Sequence, residues 1–197
     1  MPTITVEAAS SVPWTDIERS LTGGGDGGSC WCQWFTIPRR EFRSASNAAR
    51  RELLQKEVAT STLSPGFVAY VDGEAAAWMR VGPRTSQSML LRTKVVSLGS
   101  PEPLDIPDVW AITCFVVRKE FRGLGLAKHL VDAGVKFAAS QGARTVEAYP
   151  FDTAQRPRRV NELYVGTVSL FSRQGFVETA RPTSARAVMT RAIPAVA

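Results

Sequence analysis

The sequence predicts a single α/β domain in which strands and helices share one sheet. Three stretches of its 197 residues carry this prediction. Residues 109–117 are β-branched and aromatic, as in a buried strand, and a helical pattern and a second strand follow them. Residues 66–81 and 176–191 each have the pattern of two strands joined by a turn. A chain of this length most often forms one domain, and we expect one over residues 1–197.

The N-terminal part is expected to hold one strand and two helices. Pro13 suits the first turn of a helix, and Leu53, Leu54 and Val58 would face inward from the second helix. Repeated glycines predict a flexible loop, because glycine has access to many backbone conformations. In chain order, these elements are a strand at 3–7, a helix at 11–21, the loop at 22–29 and a helix at 46–58.

The remaining elements follow from turn residues and helix stops. Asp72-Gly73 is a typical two-residue hairpin turn, and Gly142 is a typical helix stop. Residues 82–107 are interrupted by proline and serine, and they support no more than a short helix or strand near 89–96. The other expected elements are a helix from 126, a strand at 144–149, a loop at 150–159, a last helix at 161–175 and a closing hairpin at 176–179 and 186–191.

The composition is that of an ordinary globular protein, with 44% hydrophobic and 21% charged residues. No apolar run reaches membrane-spanning length and no basic-then-apolar leader is present, so we expect a cytoplasmic protein without a membrane partner. Three cysteines and one histidine make a poor set of metal ligands, and no metal is expected. The basic residues behind the net charge of +6 are scattered, which disfavours nucleic acid. They form a basic surface, or some of them serve an anionic cofactor.

The segment 118–128 lies between the strand at 109–117 and the helix that follows, and it contains Gly123 and Gly125. At a helix N-terminus the first backbone N–H groups have no helical partner and the macrodipole is positive. Such a terminus binds anions, most often phosphate. The sequence therefore predicts a phosphate-binding loop here.

Three phosphate motifs fit this segment to different degrees. A P-loop ends in Gly-Lys-Ser/Thr, whereas Ala127-Lys128-His129 offers no hydroxyl for magnesium. A dinucleotide fingerprint has a third glycine where Lys128 stands, although Glu147 lies about where a ribose-binding acid would. The third motif, Arg/Gln-x-x-Gly-x-Gly/Ala, is matched in full by residues 122–127.

This third motif resembles the pyrophosphate loop of the GNAT superfamily of N-acetyltransferases. Val117-x-x-x-Phe121 resembles the strand end that precedes the loop in that family, and residues 170–176 resemble its closing helix, which ends in Gly-Phe. The resemblance covers about residues 67–191, the expected acyl-CoA-binding core. It implies a mixed, mostly antiparallel sheet flanked by helices.

The resemblance also implies a function. It predicts transfer of an acetyl group from acetyl-CoA to a primary amine, and it leaves open a small amine, an antibiotic or a protein amine as acceptor. A homodimer remains open as well. The alternative is a sensor or scaffold of the same fold that binds acyl-CoA without turnover.

In such a site the strand backbone pairs with the pantetheine arm and the loop cradles the pyrophosphate. The resemblance assigns the first role to Phe115, Val116 and Val117. It assigns the second to Arg122, Gly123, Leu124, Gly125, Leu126, Ala127 and Lys128. The side chains of Arg122 and Lys128 would add charge there, or they are solvated surface cations.

An aromatic group directly follows the glycine-rich loop and comprises Trp31, Trp34 and Phe35. It forms either a hydrophobic plug against the first helix or the wall of an acceptor pocket. The resemblance favours the pocket wall, because the corresponding segment commonly lines the acceptor site in the family. Tyr149 is expected to bind the acceptor as well.

Two residues are expected to act in catalysis. A carboxylate inside an apolar strand is costly unless it faces a wet cavity or a cation. Glu147 is therefore a candidate base or amine-binding group, or else the partner of an arginine such as Arg144 or Arg158. Many family members place a proton-donating tyrosine where this chain has Phe171. Tyr164, seven residues earlier, is expected to contribute from two helical turns away.

Overall fold

The structure is a computed structural model that describes residues 2–194. A seven-stranded mixed sheet forms its centre, in the order β1-β2-β3-β4-β5-β7-β6. β4 and β5 run parallel and the other neighbouring pairs are antiparallel. The strands are β1 (Ile4–Ala8), β2 (Gly66–Val71), β3 (Glu74–Pro83), β4 (Val109–Val117), β5 (Thr145–Ala148), β6 (Val177–Thr183) and β7 (Arg186–Ala192). The predicted α/β class and the mostly antiparallel sheet are confirmed.

Helices cover both faces of the sheet. The longest is α7 (Leu126–Ser140), whose Leu126, Leu130 and Val131 pack on residues of β2, β3 and β4. On the opposite face, α1 (Trp14–Thr22) and α4 (Asn47–Thr60) pack Ile17, Leu21 and Leu54 against the sheet. Consecutive strand residues alternate between these two cores, as the period of a strand requires. The predicted helices at 11–21 and 46–58 are confirmed to within three residues at each end.

Turn chemistry defines several of these boundaries. Asp72 and Gly73 have φ values of 49° and 84°, so the β2–β3 hairpin has a two-residue turn with both central residues left-handed. The hydroxyl of Ser46 accepts the N–H of Ala49 at 3.1 Å and caps α4. The hairpin turn was predicted from the sequence, because its signal is local.

Short helical turns account for the segments that the sequence left open. Residues 82–107 contain α5 (Ser88–Leu91) and α6 (Lys94–Ser97), together with the 3-10 turn Arg84–Ser86. The glycine-rich loop includes the one-turn helix α2 (Gly27–Cys30), in which Gly27 is buried. A Cβ on Gly27 would come within 2.8 Å of the Val116 side chain, so this part of the loop packs directly on β4. A further short helix, α3, spans Arg39–Ser44.

The predicted last helix at 161–175 is wrong in its first half. Residues Val160–Glu162 form a 3-10 turn, and α8 spans just Val168–Arg173. Gly166 has a φ of 78°, which ends any right-handed helix at that point. The hydroxyl of Thr167 then accepts the Leu170 N–H at 3.2 Å and starts α8 afresh.

The arrangement of β4 and β5 positions the candidate site. Their paired residues run from Val109–Thr145 to Ile112–Ala148 and end there, so the second half of β4 has an open edge toward β5. Part of this edge is met by the loop after β5, where the Phe115 N–H donates to the Tyr164 carbonyl at 2.6 Å. Within residues 2–194, no helix has the length and apolarity needed to cross a membrane.

Candidate functional site

A run of free backbone N–H groups begins α7. Across the described residues, the N–H groups of 123–127 have no hydrogen-bond acceptor in the protein, and the first turn closes with Lys128 N–H donating to Gly125 O at 3.0 Å. Five consecutive donors at the positive end of a 15-residue helix make an anion site. The phosphate-binding geometry predicted from the sequence is therefore present.

The two glycines of this loop are required by backbone conformation. Gly123 and Gly125 have φ values of 83° and 77°, and a Cβ at either position would meet nothing within 4 Å. The left-handed region is costly for other residues, so glycine permits the turn that aims the N–H groups outward. The open space around both positions also leaves room for a ligand.

The basic residues of the loop differ in their placement. Arg122 donates through Nε to Val117 O at 3.3 Å and through Nη2 to the Asn161 side chain at 3.2 Å, so it joins the loop to residues 160–162. Lys128 and Leu124 are exposed and do not line the cavity described next. Arg122, rather than Lys128, is thus the loop cation that faces the site.

A large cavity of about 880 Å³ extends from this loop along β4. The other predicted donor-binding residues line it, including Phe115, Val116 and Val117. Because Phe115 N–H points toward the open edge of β4, the Phe115 carbonyl and the Val117 N–H point the same way by strand alternation. These two groups remain free to pair with an extended ligand, whereas the Phe115 N–H is already used by Tyr164.

All three cysteines line this cavity. The indole N–H of Trp78 donates to the Cys32 sulfur at 3.0 Å. Burial opposes ionisation of Cys32, but the neighbouring Cys114 thiol, the charge of Arg80 and the Trp78 donor together lower its pKa. Burial raises the pKa of Cys30 to about 12. Cys114 is buried, with 8% of its surface exposed.

The aromatic group at 31–35 is divided between the core and the cavity. Trp34 and Phe35 line the large cavity, and Trp34 is 41% exposed. Trp31 does not: it stacks on Trp14 at 6.2 Å and donates its indole N–H to Asn47 Oδ1 at 2.7 Å. The prediction that Trp31 binds the acceptor is therefore wrong. Left-handed backbone at Trp31 and Cys32 turns the chain between the two environments.

A smaller cavity of about 220 Å³ adjoins the first and shares Trp34, Phe35 and Tyr164 with it. Tyr149 and Arg186 also line it, as do apolar residues of the α5–α6 region such as Leu90 and Val95. The aromatic residues predicted for acceptor binding, Trp31 excepted, thus meet at this junction. Arg186 was missed, because nothing in the local sequence distinguishes it from the other arginines.

Glu147 lies in neither cavity lining. It is fully buried and accepts hydrogen bonds from Arg84 at 2.8 Å, from Ser100 at 2.6 Å and from the Tyr149 hydroxyl. Its charge raises the pKa of Tyr149, already raised by burial, so the tyrosine remains a donor. The geometry contradicts Glu147 as a base in contact with substrate. The alternative of an arginine partner is confirmed, but the partner is Arg84 rather than Arg144 or Arg158.

Tyr164 lies at the junction of the two cavities, whereas Phe171 does not. Phe171 is fully buried, with its ring 6.1 Å from Phe115 and 5.0 Å from Phe176. Tyr164 lies on the loop before α8, is 37% exposed and lines both cavities. Burial raises its pKa, and Arg186 partly opposes this effect. Tyr164 therefore carries its proton at neutral pH, but from a loop and not from the predicted helix.

Comparison with a family model gives a match to the acetyltransferase (GNAT) family over residues 31–175. A search of curated proteins gave no match. Among the described residues of this chain, no group of three or more His, Cys, Asp or Glu side chains could hold a metal ion.

Solved structures with the same fold share little sequence with this chain. The PaiA N-acetyltransferase from Thermoplasma acidophilum, in complex with coenzyme A, is 13% identical with a TM-score of 0.56, covering 97% of this chain and 99% of that one. YncA from Salmonella typhimurium, with its cofactor acetyl-CoA, is 12% identical with a TM-score of 0.57, covering 98% and 96%. The ribosomal-protein-S18-alanine N-acetyltransferase from Escherichia coli is 12% identical with a TM-score of 0.52, covering 99% and 97%.

Proposed function

The chain belongs to the acetyltransferase (GNAT) family, and from this premise we propose that it transfers an acetyl group from acetyl-CoA to a primary amine. The observation that carries the proposal is the run of five free N–H groups at 123–127, which opens onto a cavity of about 880 Å³. A cavity of this volume is within the range that holds cofactors and drug-sized ligands.

The residues present fit coenzyme A. The pyrophosphate would bind the N–H groups of 123–127, with Arg122 as a nearby cation. The pantetheine arm would pair with the Phe115 carbonyl and the Val117 N–H on the open edge of β4, as an added strand does. The apolar walls of the cavity, including Phe121, Leu126 and Leu170, suit the aliphatic part of the arm.

The acceptor amine would enter through the smaller cavity. That cavity joins the larger one at Trp34, Phe35 and Tyr164, so a group bound there reaches the end of the donor channel. A thioester, when bound, supplies the activated acyl group. The protein then has to hold the amine in its neutral form against it, which is chiefly a matter of positioning.

Proton removal from the amine is assigned to water. In the described part of the chain, no carboxylate lines the smaller cavity, and Glu147 is held by Arg84. The guanidinium groups of Arg39 and Arg186 line the same cavity, and nearby positive charge disfavours an ammonium ion. A bound amine would thus lose its proton more readily than in bulk solvent.

Protonation of the departing thiolate is assigned to Tyr164 or to solvent. Tyr164 lines both cavities and its raised pKa keeps the phenol protonated near neutral pH. Phe171 has no proton to give and its ring is enclosed by Phe115 and Phe176. A thiolate needs limited help near pH 7, because the thiol it forms is weakly acidic.

Two measurements test this function. Calorimetric titration with acetyl-CoA should give a binding isotherm, whereas NAD should give none; binding of NAD alone would overturn the proposal. A library of primary amines, screened for release of free thiol from acetyl-CoA, should then identify acceptors. Tight acetyl-CoA binding without thiol release for any amine would favour a sensor or scaffold.

A further inference from the structure

Arg186 carries a charge that no carboxylate of the described residues neutralises. It begins β7, is partly buried and lines the smaller cavity. Its Nη2 donates to the Tyr149 carbonyl at 2.8 Å, its Nε is buried without a hydrogen-bond partner, and no carboxylate among residues 2–194 lies within salt-bridge distance. Burial lowers the pKa of this guanidinium; Tyr164 opposes the shift and the charge of Arg158 adds to it.

Other cations reinforce this charge. Arg158 and Arg186 both lie 4.3 Å from the centre of the Phe151 ring; the Arg158 Nε has no partner among the described residues, although its Nη1 lies 4.0 Å from the exposed Glu162 carboxylate. Arg39 lines the smaller cavity and stacks over Trp34 at 5.7 Å. The residues that line this cavity include two arginines and, within the described chain, no aspartate or glutamate.

Two buried arginines of this chain differ from Arg186 in being paired with a carboxylate, although their Nε atoms, like that of Arg186, have no hydrogen-bond partner among the described residues. Arg80 makes a two-pronged contact with Glu57 at 2.8 and 2.6 Å. Arg84 pairs with Glu147 at 2.8 Å. Desolvating a charge without a partner is costly, so a partly buried arginine at a cavity whose described lining holds no carboxylate would gain from an anionic ligand.

We propose that the acceptor is a small amine that also bears a carboxylate, and that Arg186 binds this carboxylate. The inference rests on the proposed function and names its acceptor class. An arginine fork matches a carboxylate geometrically and forms strong charge-assisted hydrogen bonds. The cavity of about 220 Å³ is small, which suits an amino acid rather than a folded protein surface. Leu90 and Val95 offer apolar contacts to its side chain.

The test uses matched acceptor pairs that differ in the carboxylate alone. α-, β- and γ-amino acids with apolar side chains are compared with the amines left by their decarboxylation, and with the corresponding aminophosphonic acids. Thiol release gives kcat and KM, and calorimetry gives the affinity of each acceptor for the protein without acetyl-CoA. We expect the amino acids to bind the protein at least roughly tenfold more tightly than their decarboxylated amines, equivalent to about 1.4 kcal/mol.

Variants of Arg186 test whether this residue causes the preference for a carboxylate. Arg186→Met should raise KM for the amino acid at least roughly tenfold more than KM for the decarboxylated amine, which loses only the influence of the charge on its own proton, and should leave acetyl-CoA affinity unchanged. Arg186→Lys should restore part of the loss, because it keeps the charge without the fork. Arg173→Met, at an exposed position of α8, is the control for net charge and should change neither acceptor. The comparison of acceptor pairs in the unaltered protein needs no variant to fold.

Several results would overturn this assignment. Equal affinity and kcat/KM for an amino acid and its decarboxylated amine would mean that the acceptor carboxylate is not recognised, while the proposed acetyl transfer would stand. Preference for the aminophosphonic acids would mean that Arg186 recognises a phosphonate instead of a carboxylate. Acetyl-CoA binding with no turnover of any acceptor would refute both the proposed acceptor class and the proposed transfer to an amine. Absence of acetyl-CoA binding would refute the proposed function itself, because the donor would not bind.

Discussion

The donor and acceptor ends of the cavity are built in different ways. At the donor end, the groups proposed to bind the pantetheine arm and the pyrophosphate belong to one continuous segment, from Phe115 to Ala127, and they are mostly backbone N–H and C=O, although other segments complete the cavity walls. The acceptor end is made of side chains from distant parts of the chain, among them Trp34, Leu90, Tyr149, Tyr164 and Arg186. The first depends on local conformation and the second on long-range packing.

This difference extends to what supports each end. The donor loop rests on two left-handed glycines and a helix start. The acceptor end lies above a buried polar network in which Arg84, Ser100 and Tyr149 all bond to Glu147. The 3-10 turn after β3, the segment after α6 and the end of β5 meet in this network, so it ties three distant parts of the chain together beneath the acceptor end. The predictions below separate the two ends.

The largest effect is expected from Glu147→Gln, which breaks the network beneath the acceptor end. Removing one partner of a buried ion pair leaves the other uncompensated and typically costs about 3–5 kcal/mol. We expect the free energy of unfolding, from denaturant titration, to fall by that amount while kcat of the folded enzyme stays within about threefold. Glu102→Gln is the control: its pair with the half-exposed Arg144 should contribute about 1 kcal/mol or less.

A large loss of kcat without a loss of stability would instead assign Glu147 a role in proton transfer. A general base typically contributes roughly 10²–10⁴ in rate. A stable Glu147→Gln enzyme with such a loss in kcat, and with an altered acidic limb in its pH profile, would contradict the structural role given to this residue here.

The next effect concerns the donor end. Gly125→Glu forces a side chain into the left-handed region and puts negative charge beside the free N–H groups. Affinity for acetyl-CoA, measured by calorimetry, should fall at least roughly tenfold, or about 1.4 kcal/mol. Gly142→Glu is a matched control, because Gly142 has a φ of 78° and equally open surroundings but lies beyond the other end of α7. Equal losses in both variants would mean that backbone strain, not ligand contact, is being measured.

A moderate effect is expected where the two ends meet. Trp34→Ala removes a ring that lines both cavities and is 41% exposed. It should raise the acceptor KM severalfold and the acetyl-CoA KM less, with little change in melting temperature. Trp31→Ala is the comparison: it removes a buried ring and should lower stability by about 3–5 kcal/mol without altering the acceptor KM. If Trp34→Ala alters stability and no kinetic constant, the pocket wall lies elsewhere.

The smallest effect is expected from Tyr164→Phe. Burial raises the pKa of this phenol, so it is protonated at neutral pH and deprotonates only in strongly alkaline solution. If it protonates the departing thiolate, the variant should lose a modest part of kcat, less than tenfold, since solvent can take over. In the unaltered enzyme, the contribution of Tyr164 to kcat should disappear as the phenol deprotonates at alkaline pH, and the variant should lack this alkaline decline. A loss of acetyl-CoA affinity instead would assign the ring to donor binding.

Sequence reasoning succeeded where the signal was local. The Asp72-Gly73 turn and the Arg122-x-x-Gly-x-Ala loop each lie within a few residues, and each is present in the structure. The last helix was misjudged because its expected continuity ignored Gly166, whose left-handed backbone separates Tyr164 from α8. The sequence therefore placed Tyr164 on a helix face, whereas in the structure it lies on a loop and still lines the cavity.

The sequence by itself determined the fold class, the family resemblance and the donor loop, because backbone conformation there is specified by neighbouring residues. The tertiary structure alone decided which arginine neutralises Glu147, that Trp31 is buried while Trp34 lines the cavity, and that no carboxylate of residues 2–194 pairs with Arg186. These outcomes depend on residues 63 positions apart in the Arg84–Glu147 pair and 37 in the Arg186–Tyr149 contact. No local pattern encodes such pairings, since they form only when the sheet brings distant segments together.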